Sequence, residues 1–97
     1  MTHDYIAIVL LGGGSSWARH SNPETAIKKV VNAVQNDWGQ IFNMRGADIY
    51  VNVWDVTGND EVHWDDEGMH GDKQDEHPIT KVSTRLVVLP GKRKQAA

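Results

Sequence analysis

The first apolar segment of the chain runs from Tyr5 to Leu11 (YIAIVLL) and is hydrophobic at both odd and even positions. A strand covered on both faces loses the usual alternation, so this run predicts a central β-strand. Seven residues are too few to cross a membrane, and no basic leader of a signal peptide precedes them. The glycines at 12–14 end the run, and we interpret residues 15–22 as a loop that leads to a helix.

A helix start follows this loop and can be read in two ways. Either Asn22 is the N-cap with Pro23 in the first turn, or Ser21 and Glu24 form a capping box. Apolar residues then recur at steps of three and four, which predicts one amphipathic helix that ends between Trp38 and Phe42. These apolar positions are Ile27, Val30, Val31, Val34, Trp38 and Ile41.

Residues 47–56 alternate between apolar and mostly polar positions, which is typical of a half-buried strand. One set should face the helix and the other should form the outer face of the sheet. The inward set is Ala47, Ile49, Val51 and Val53, and the outward set is Asp48, Tyr50, Asn52 and Trp54.

Residues 57–60 predict a tight hairpin with Gly58 and Asn59 at its tip. In that register Val53 lies opposite Trp64 on the inner face. Trp54 lies opposite His63 on the outer face. Residues 66–78 are expected to be a long polar loop, and 81–89 (KVSTRLVVL) the last strand, with Arg85 and Val87 available to the outer face.

The predicted order is therefore β-α-β-β-β. It indicates an α+β two-layer sandwich, with one amphipathic helix on one face of a mainly antiparallel four-stranded sheet. We expect one domain over residues 1–90 and a flexible basic tail over 91–97. If the first two strands were parallel, their crossover through the helix should be right-handed.

Composition adds a strong asymmetry of charge to this picture. The 97 residues carry a net charge of −3 and no cysteine, which excludes disulfides and zinc-thiolate sites and favours a cytoplasmic protein. Eight of the 13 acidic residues fall between Asp60 and Glu76, where Lys73 is the one basic residue. The molecule should therefore have an electronegative side.

The outer sheet face and the acidic segment together predict a surface that binds a protein. Two large aromatic side chains are unlikely to face water in so small a domain, so a partner, a second copy or the 66–78 loop should cover them. A partner would be basic, such as a groove that also binds nucleic acid and that regulatory proteins of mobile elements can block. The candidate partner-binding residues are Tyr50, Trp54, Glu61, His63, Asp65, Asp66 and Glu67.

Nucleic acid itself is a poor candidate for this surface, because the carboxylates would repel phosphates. A glycine-rich loop between a strand and a helix could instead bind an anion or a nucleotide through freed backbone amides. The residues available for such a site are Gly13, Gly14, Ser15, Ser16, Arg19 and His20.

A third hypothesis is a metal-binding surface, because imidazole and carboxylate ligands occur together in the acidic segment. The candidate ligands are His63, His70 and His77. Catalysis is not favoured: Ser15 or Ser16 with His20 lacks the pattern of a nucleophile elbow, and a single helix on one sheet offers little concavity. No cofactor is expected, and homodimerisation remains open.

Overall fold

The computed structural model describes residues 3–11, 14–37, 46 and 48–89. Within them the chain forms one helix and six strands. In chain order these are β1 (Tyr5–Leu11), β2 (Gly14–His20), α1 (Pro23–Asp37), β3 (Asp48–Asp55), β4 (Val62–Asp65), β5 (Gly68–Gly71) and β6 (Thr80–Val88).

Four of these strands make one antiparallel sheet in the order β2-β1-β3-β6, and α1 packs on one face of it. Strands β4 and β5 make a separate two-stranded hairpin. The architecture is thus the expected α+β fold, one helix on a four-stranded antiparallel sheet. The predicted tail over residues 91–97 lies outside the described residues.

The main core lies between α1 and the sheet and consists mostly of small β-branched side chains. Val30 and Val34 of the helix are fully buried against Val51 and Val53 of β3. Burying one such side chain stabilises the fold by about 1.5–3 kcal/mol. The predicted inward set is therefore confirmed for Ile49, Val51 and Val53; Ala47 lies outside the described residues.

The helix begins as the first of the two sequence interpretations predicts. Asn22 Oδ1 accepts hydrogen bonds from the backbone N–H of Glu24 at 2.9 Å and of Thr25 at 3.4 Å. Glu24 also forms a two-bond ion pair with Arg85 of β6, with both N···O distances 2.6 Å. The described helix ends at Asp37, and the predicted end between residues 38 and 42 lies outside the described residues.

The prediction of a loop over residues 15–22 is wrong for most of its length, because residues 14–20 form β2, paired with β1. This strand lacks β-branched residues. Its inward side chains are the small Ser16 and Ala18, which fit beneath the helix. The predicted β-α-β-β-β order therefore lacks one strand before the helix and one after it. Since β1 and β3 are antiparallel, no right-handed crossover arises.

The predicted hairpin between β3 and residues 61–65 is also wrong. Both edges of β3 are occupied, by β1 and by β6, so no place is left for a third neighbour. Residues 57 and 58 do turn, with Gly58 at φ 89°. The chain then leaves the sheet, and β4 pairs with β5 inside the predicted 66–78 loop. The last strand is confirmed within one residue at each end.

Candidate functional site

The β4–β5 hairpin covers part of the outer face, which is the sheet face opposite α1. Its inward side chains build a second hydrophobic cluster with the outward side chains of β1 and β3. The buried members are Ile6, Ile8, Val56 and Met69, and the half-buried members are Trp54, Val62, Trp64 and Ile79. The hypothesis that residues 66–78 cover the outer face is thus correct for the Trp54 end of the sheet.

Two aromatic contacts place the hairpin on the sheet. The Trp64 ring meets the Trp17 ring of β2 edge to face, with centroids 5.8 Å apart. The backbone of Gly68 lies against Trp54 of β3, because a Cβ at this glycine would sit 3.3 Å from that ring. Trp64 therefore packs on the outer face. The predicted position of Trp64, opposite Val53 in the helix-side core, is wrong.

Within the residues that the structure describes, nothing covers the other end of the outer face. Four large side chains there are at least half exposed: Leu10 at 65%, Tyr50 at 62%, Leu86 at 50% and Val88 at 61%. They share a face because Leu10 follows Ile8 by two residues and Tyr50 pairs with Leu86. We call these four residues the open half. Of them, sequence reasoning identified Tyr50 alone as a binding residue.

The prediction that Arg85 and Val87 reach the outer face is wrong, so the sequence does not identify Leu86 and Val88 as surface residues of the open half. Arg85 pairs with Val51 and Val87 pairs with Ile49, so both lie on the helix side. A shift of one residue moves every side chain of a strand to the other face. The pairing is regular from Asp48 and Val88 to Val53 and Ser83, so Leu86 and Val88 lie on the outer face instead.

Three acidic residues at the turn of the hairpin, Asp65, Asp66 and Glu67, are called the acidic tip, and all three are exposed. The base of the hairpin lies at Arg19, whose Nη1 donates to the Asp60 carbonyl at 2.9 Å. Trp64 contacts Trp17, which is two residues nearer the open half along β2. Gly68, the partner of Asp65 at the tip, lies against Trp54, which is in the same row of the sheet as Arg19 because both pair with Ile6. The acidic tip therefore meets the sheet at Trp54, four residues or roughly 13 Å along β3 from Tyr50.

The charge around the open half is negative. The described charged side chains nearest to it are Asp48 and, farther along this side, the acidic tip and Lys81, whose Nζ lies 6.0 Å from the centroid of the Trp54 ring; Arg19 on the same face is paired with Asp4. Asp48 is exposed and pairs with Val88, so it borders the open half directly. An apolar surface with carboxylates at its border is suited to cationic, amphipathic partners.

The side of the hairpin that faces away from the sheet carries His63 and His70. Their rings are stacked, with centroids 5.2 Å apart. His70 Nε2 lies 2.9 Å from Asp65 Oδ1. This hydrogen bond, followed by one from the Glu67 backbone N–H, lowers the pKa of Asp65, because both stabilise its charged form.

Among the predicted metal ligands, His77 lies apart from this pair. Its ring packs against Gly58, where a Cβ would collide with it, and its carbonyl accepts a hydrogen bond from Asn59 Nδ2 at 2.9 Å. Within residues 3–11, 14–37, 46 and 48–89, no three side chains of metal-ligating type converge. The three histidines therefore do not form one site.

The anion-binding hypothesis required a loop that the structure replaces with β2. Arg19 donates to Asp4 at 2.8 Å and also contacts the Asn59 carbonyl, so its guanidinium is engaged. His20 Nδ1 accepts from the Asn22 N–H at 2.9 Å. Ser15 and Ser16 point to opposite faces of the sheet, which also separates the serines considered for catalysis. Gly13 lies outside the described residues, and Gly14 begins β2.

Partner-binding candidates divide according to their place on the hairpin and sheet. Tyr50 belongs to the open half, Trp54 is half-buried under the hairpin, and Asp65, Asp66 and Glu67 form the acidic tip. His63 faces away from the sheet, and Glu61 is exposed near the base. Of the seven candidates, the structure therefore brings Asp65, Asp66 and Glu67 together at the turn of the hairpin, and Tyr50 lies apart from them in the open half.

Comparisons with protein-family models, with curated proteins and with solved structures find no match to this chain. In the part of the chain that the structure describes, no helix is long and apolar enough to span a bilayer.

Proposed function

We propose that the protein is a small non-catalytic interaction module that binds a basic protein partner through the open half and the acidic tip. The single observation that carries this proposal is an exposed apolar sheet surface among the described residues, with Asp48 at its border and the acidic tip on the same side of the sheet. Hydrophobic contact supplies affinity in such an arrangement, while the charges select the partner and orient it. A basic groove that also holds nucleic acid has the required chemistry.

The size of the surface supports a binding role of modest affinity. From their fractional exposures, the four side chains of the open half present roughly 450 Å², within the range of functional patches on monomers. A stable complex buries about 800 Å² per partner, so the open half can be the centre of an interface but not all of it. Asp48 at its border and the acidic tip on the same side of the sheet can supply part of the rim.

Charge favours a different protein over a second copy as the partner. Two outer faces brought together would confront Asp48 and the acidic tip of one molecule with the same residues of the other. Like charges at an interface oppose association and slow the encounter. Light scattering should therefore report a mass near the 10.8 kDa of one chain. A concentration-dependent dimer that Leu86→Lys dissociates would contradict this choice of partner.

Two peptides with the same apolar positions, one carrying lysines and the other glutamates, test the proposal. Fluorescence anisotropy should show that the lysine peptide binds and the glutamate peptide does not. Leu86→Asn should weaken binding about tenfold, because it removes apolar contact from the centre of the surface. Since Leu86 is half exposed, this variant should remain folded.

A pair of double variants provides the matched control for charge. Asp66→Asn with Glu67→Gln removes two carboxylates from the tip, and Asp75→Asn with Glu76→Gln removes two exposed ones near the base. The tip variant should weaken binding about fivefold and the base variant less than twofold. The reason is that salt screens exposed charges that lie more than about one Debye length from the bound peptide. Equal effects of the two double variants would refute the proposed site, and so would equal binding of the two peptides.

A further inference from the structure

The histidine pair on the hairpin faces away from the open half and takes no part in the proposed binding of a protein. His63 is exposed and His70 is half-buried, and both rings lie on the solvent side of the hairpin. Imidazole nitrogen is a ligand that zinc prefers in proteins. The pair is therefore a candidate metal-binding site on the hairpin.

The fold fixes the two histidines relative to each other. They are direct partners in the β4–β5 register, while Trp64 and Met69, the next pair, point toward the sheet. A slip of one residue would move Trp64 and Met69 into water, so the hydrophobic cluster holds the register. The backbone of the histidine pair is thus positioned before any ligand arrives.

The separation of the rings matches one tetrahedral ion. Two imidazoles bound to zinc at roughly 2.0–2.1 Å place their ring centroids about 5 Å apart, when the angle at the metal is tetrahedral. The observed distance between the centroids is 5.2 Å. The rings are stacked with their planes inclined by 27°, so their nitrogens do not point at one position in this arrangement. Because Asp65 holds His70, rotation of the His63 ring about χ2 must direct its nitrogen to the ion, and such rotation meets a broad, shallow potential.

Asp65 holds one nitrogen of the His70 ring and leaves the other free. Its Oδ1 lies 2.9 Å from His70 Nε2, and its Oδ1 also accepts the Glu67 backbone N–H at 2.8 Å. A carboxylate that holds one ring nitrogen leaves the other as the metal ligand, an arrangement that recurs around zinc-bound histidines. Asp65 therefore selects Nδ1 of His70 as the free nitrogen.

We propose that His63 and His70 form a two-histidine zinc site, in which His70 binds through Nδ1 and Asp65 is a positioning residue. Because no third metal-ligating side chain converges there within the described residues, water fills the remaining positions. The zinc site shares Asp65 with the acidic tip, but its two metal ligands lie on the side of the hairpin that faces away from the sheet.

Calorimetric titration of the full chain with a zinc salt tests the proposal. His63→Ala and His70→Ala should each weaken zinc binding at least tenfold. His77→Ala and His3→Ala should leave it within twofold, because those rings lie elsewhere. Asp65→Ala should weaken binding about tenfold, as loss of a supporting carboxylate does, while Asp65→Asn keeps an acceptor and should retain part of the affinity.

Nitrogen-15 spectra of the imidazoles add a readout that a purely structural role of Asp65 would not move. On addition of zinc, His70 should show a metal-bound Nδ1 and a protonated Nε2, and Asp65→Ala should abolish this preference. Tryptophan fluorescence verifies that each variant remains folded, and His63→Asn and His70→Asn replace any alanine variant that does not. Zinc binding that survives both asparagine variants, or that is lost in His77→Ala, would overturn the proposal.

Discussion

Asn59 connects the turn after β3 to the second half of the acidic segment through side-chain hydrogen bonds. Its side chain is 1% exposed and lies between the turn after β3 and residues 72–77. Nδ2 donates to the His77 carbonyl at 2.9 Å, and Oδ1 accepts from the Lys73 backbone N–H at 2.9 Å. A weaker bond from Nδ2 reaches the Val56 carbonyl at 3.4 Å.

Asn59→Ala removes these bonds and leaves the Lys73 N–H and the His77 carbonyl without their partner. Each unsatisfied group costs about 1–3 kcal/mol when buried, and both are partly buried, so the lower half of that range applies. For the two groups together, we expect the free energy of unfolding to fall by about 2–4 kcal/mol. A domain of this size has roughly 5–15 kcal/mol in total, and Tm should fall by about 10–30 °C.

Urea denaturation followed by tryptophan fluorescence measures this loss. The matched control is Asn32→Ala on the exposed side of α1, which should change stability by less than about 1 kcal/mol. Hydrogen exchange should also show that the Lys73 amide is less protected in Asn59→Ala. The reasoning is refuted if Asn59→Ala is as stable as Asn32→Ala.

Three further outcomes follow from particular contacts. Gly58→Ala should destabilise the fold by at least about 1 kcal/mol in a urea titration, because φ is 89° and the new Cβ meets the His77 ring; an unchanged midpoint would contradict the turn. Val30→Ala should cost about 2 kcal/mol in the same assay through loss of a buried contact, and a cost below about 0.5 kcal/mol would contradict the packing. His70→Ala should raise the pKa of Asp65 toward its ordinary value, as measured by carbon-13 NMR of the carboxyl group. Since folding lowers this pKa, the stability that Asp65 contributes is present above its unfolded pKa and is lost as pH falls through the folded value. If His70→Ala does not change the titration of Asp65, the hydrogen bond between the two residues is absent.

The parts of the fold that sequence predicted are those with a strong periodic signal. Ile49, Val51 and Val53 alternate with polar residues, and the apolar stripe of α1 recurs at helical spacing, so their facing sides could be assigned. Asn22 before a proline is a local signal that needs no tertiary context. These patterns were sufficient to predict one helix on an antiparallel sheet.

The parts that could not be predicted depend on tertiary contacts. Strand β2 has no β-branched residue, and the helix above Ser16 and Ala18 is what buries it. Trp64 alternates with His63 in either pairing of β4, so alternation alone could not distinguish β3 from β5 as its neighbour. The placement of the open half depends in turn on which residues of β6 pair with β3, because Leu86, Val87 and Val88 are all apolar and do not reveal their faces.

The most direct test of the proposed function is a map of backbone amide shifts on addition of the lysine peptide. The proposed surface predicts that the largest changes occur at Tyr50, Leu86 and Asp66, with little change at Lys28 on the exposed side of α1. Changes centred on α1, or on residues 72–77 without the open half, would contradict the account.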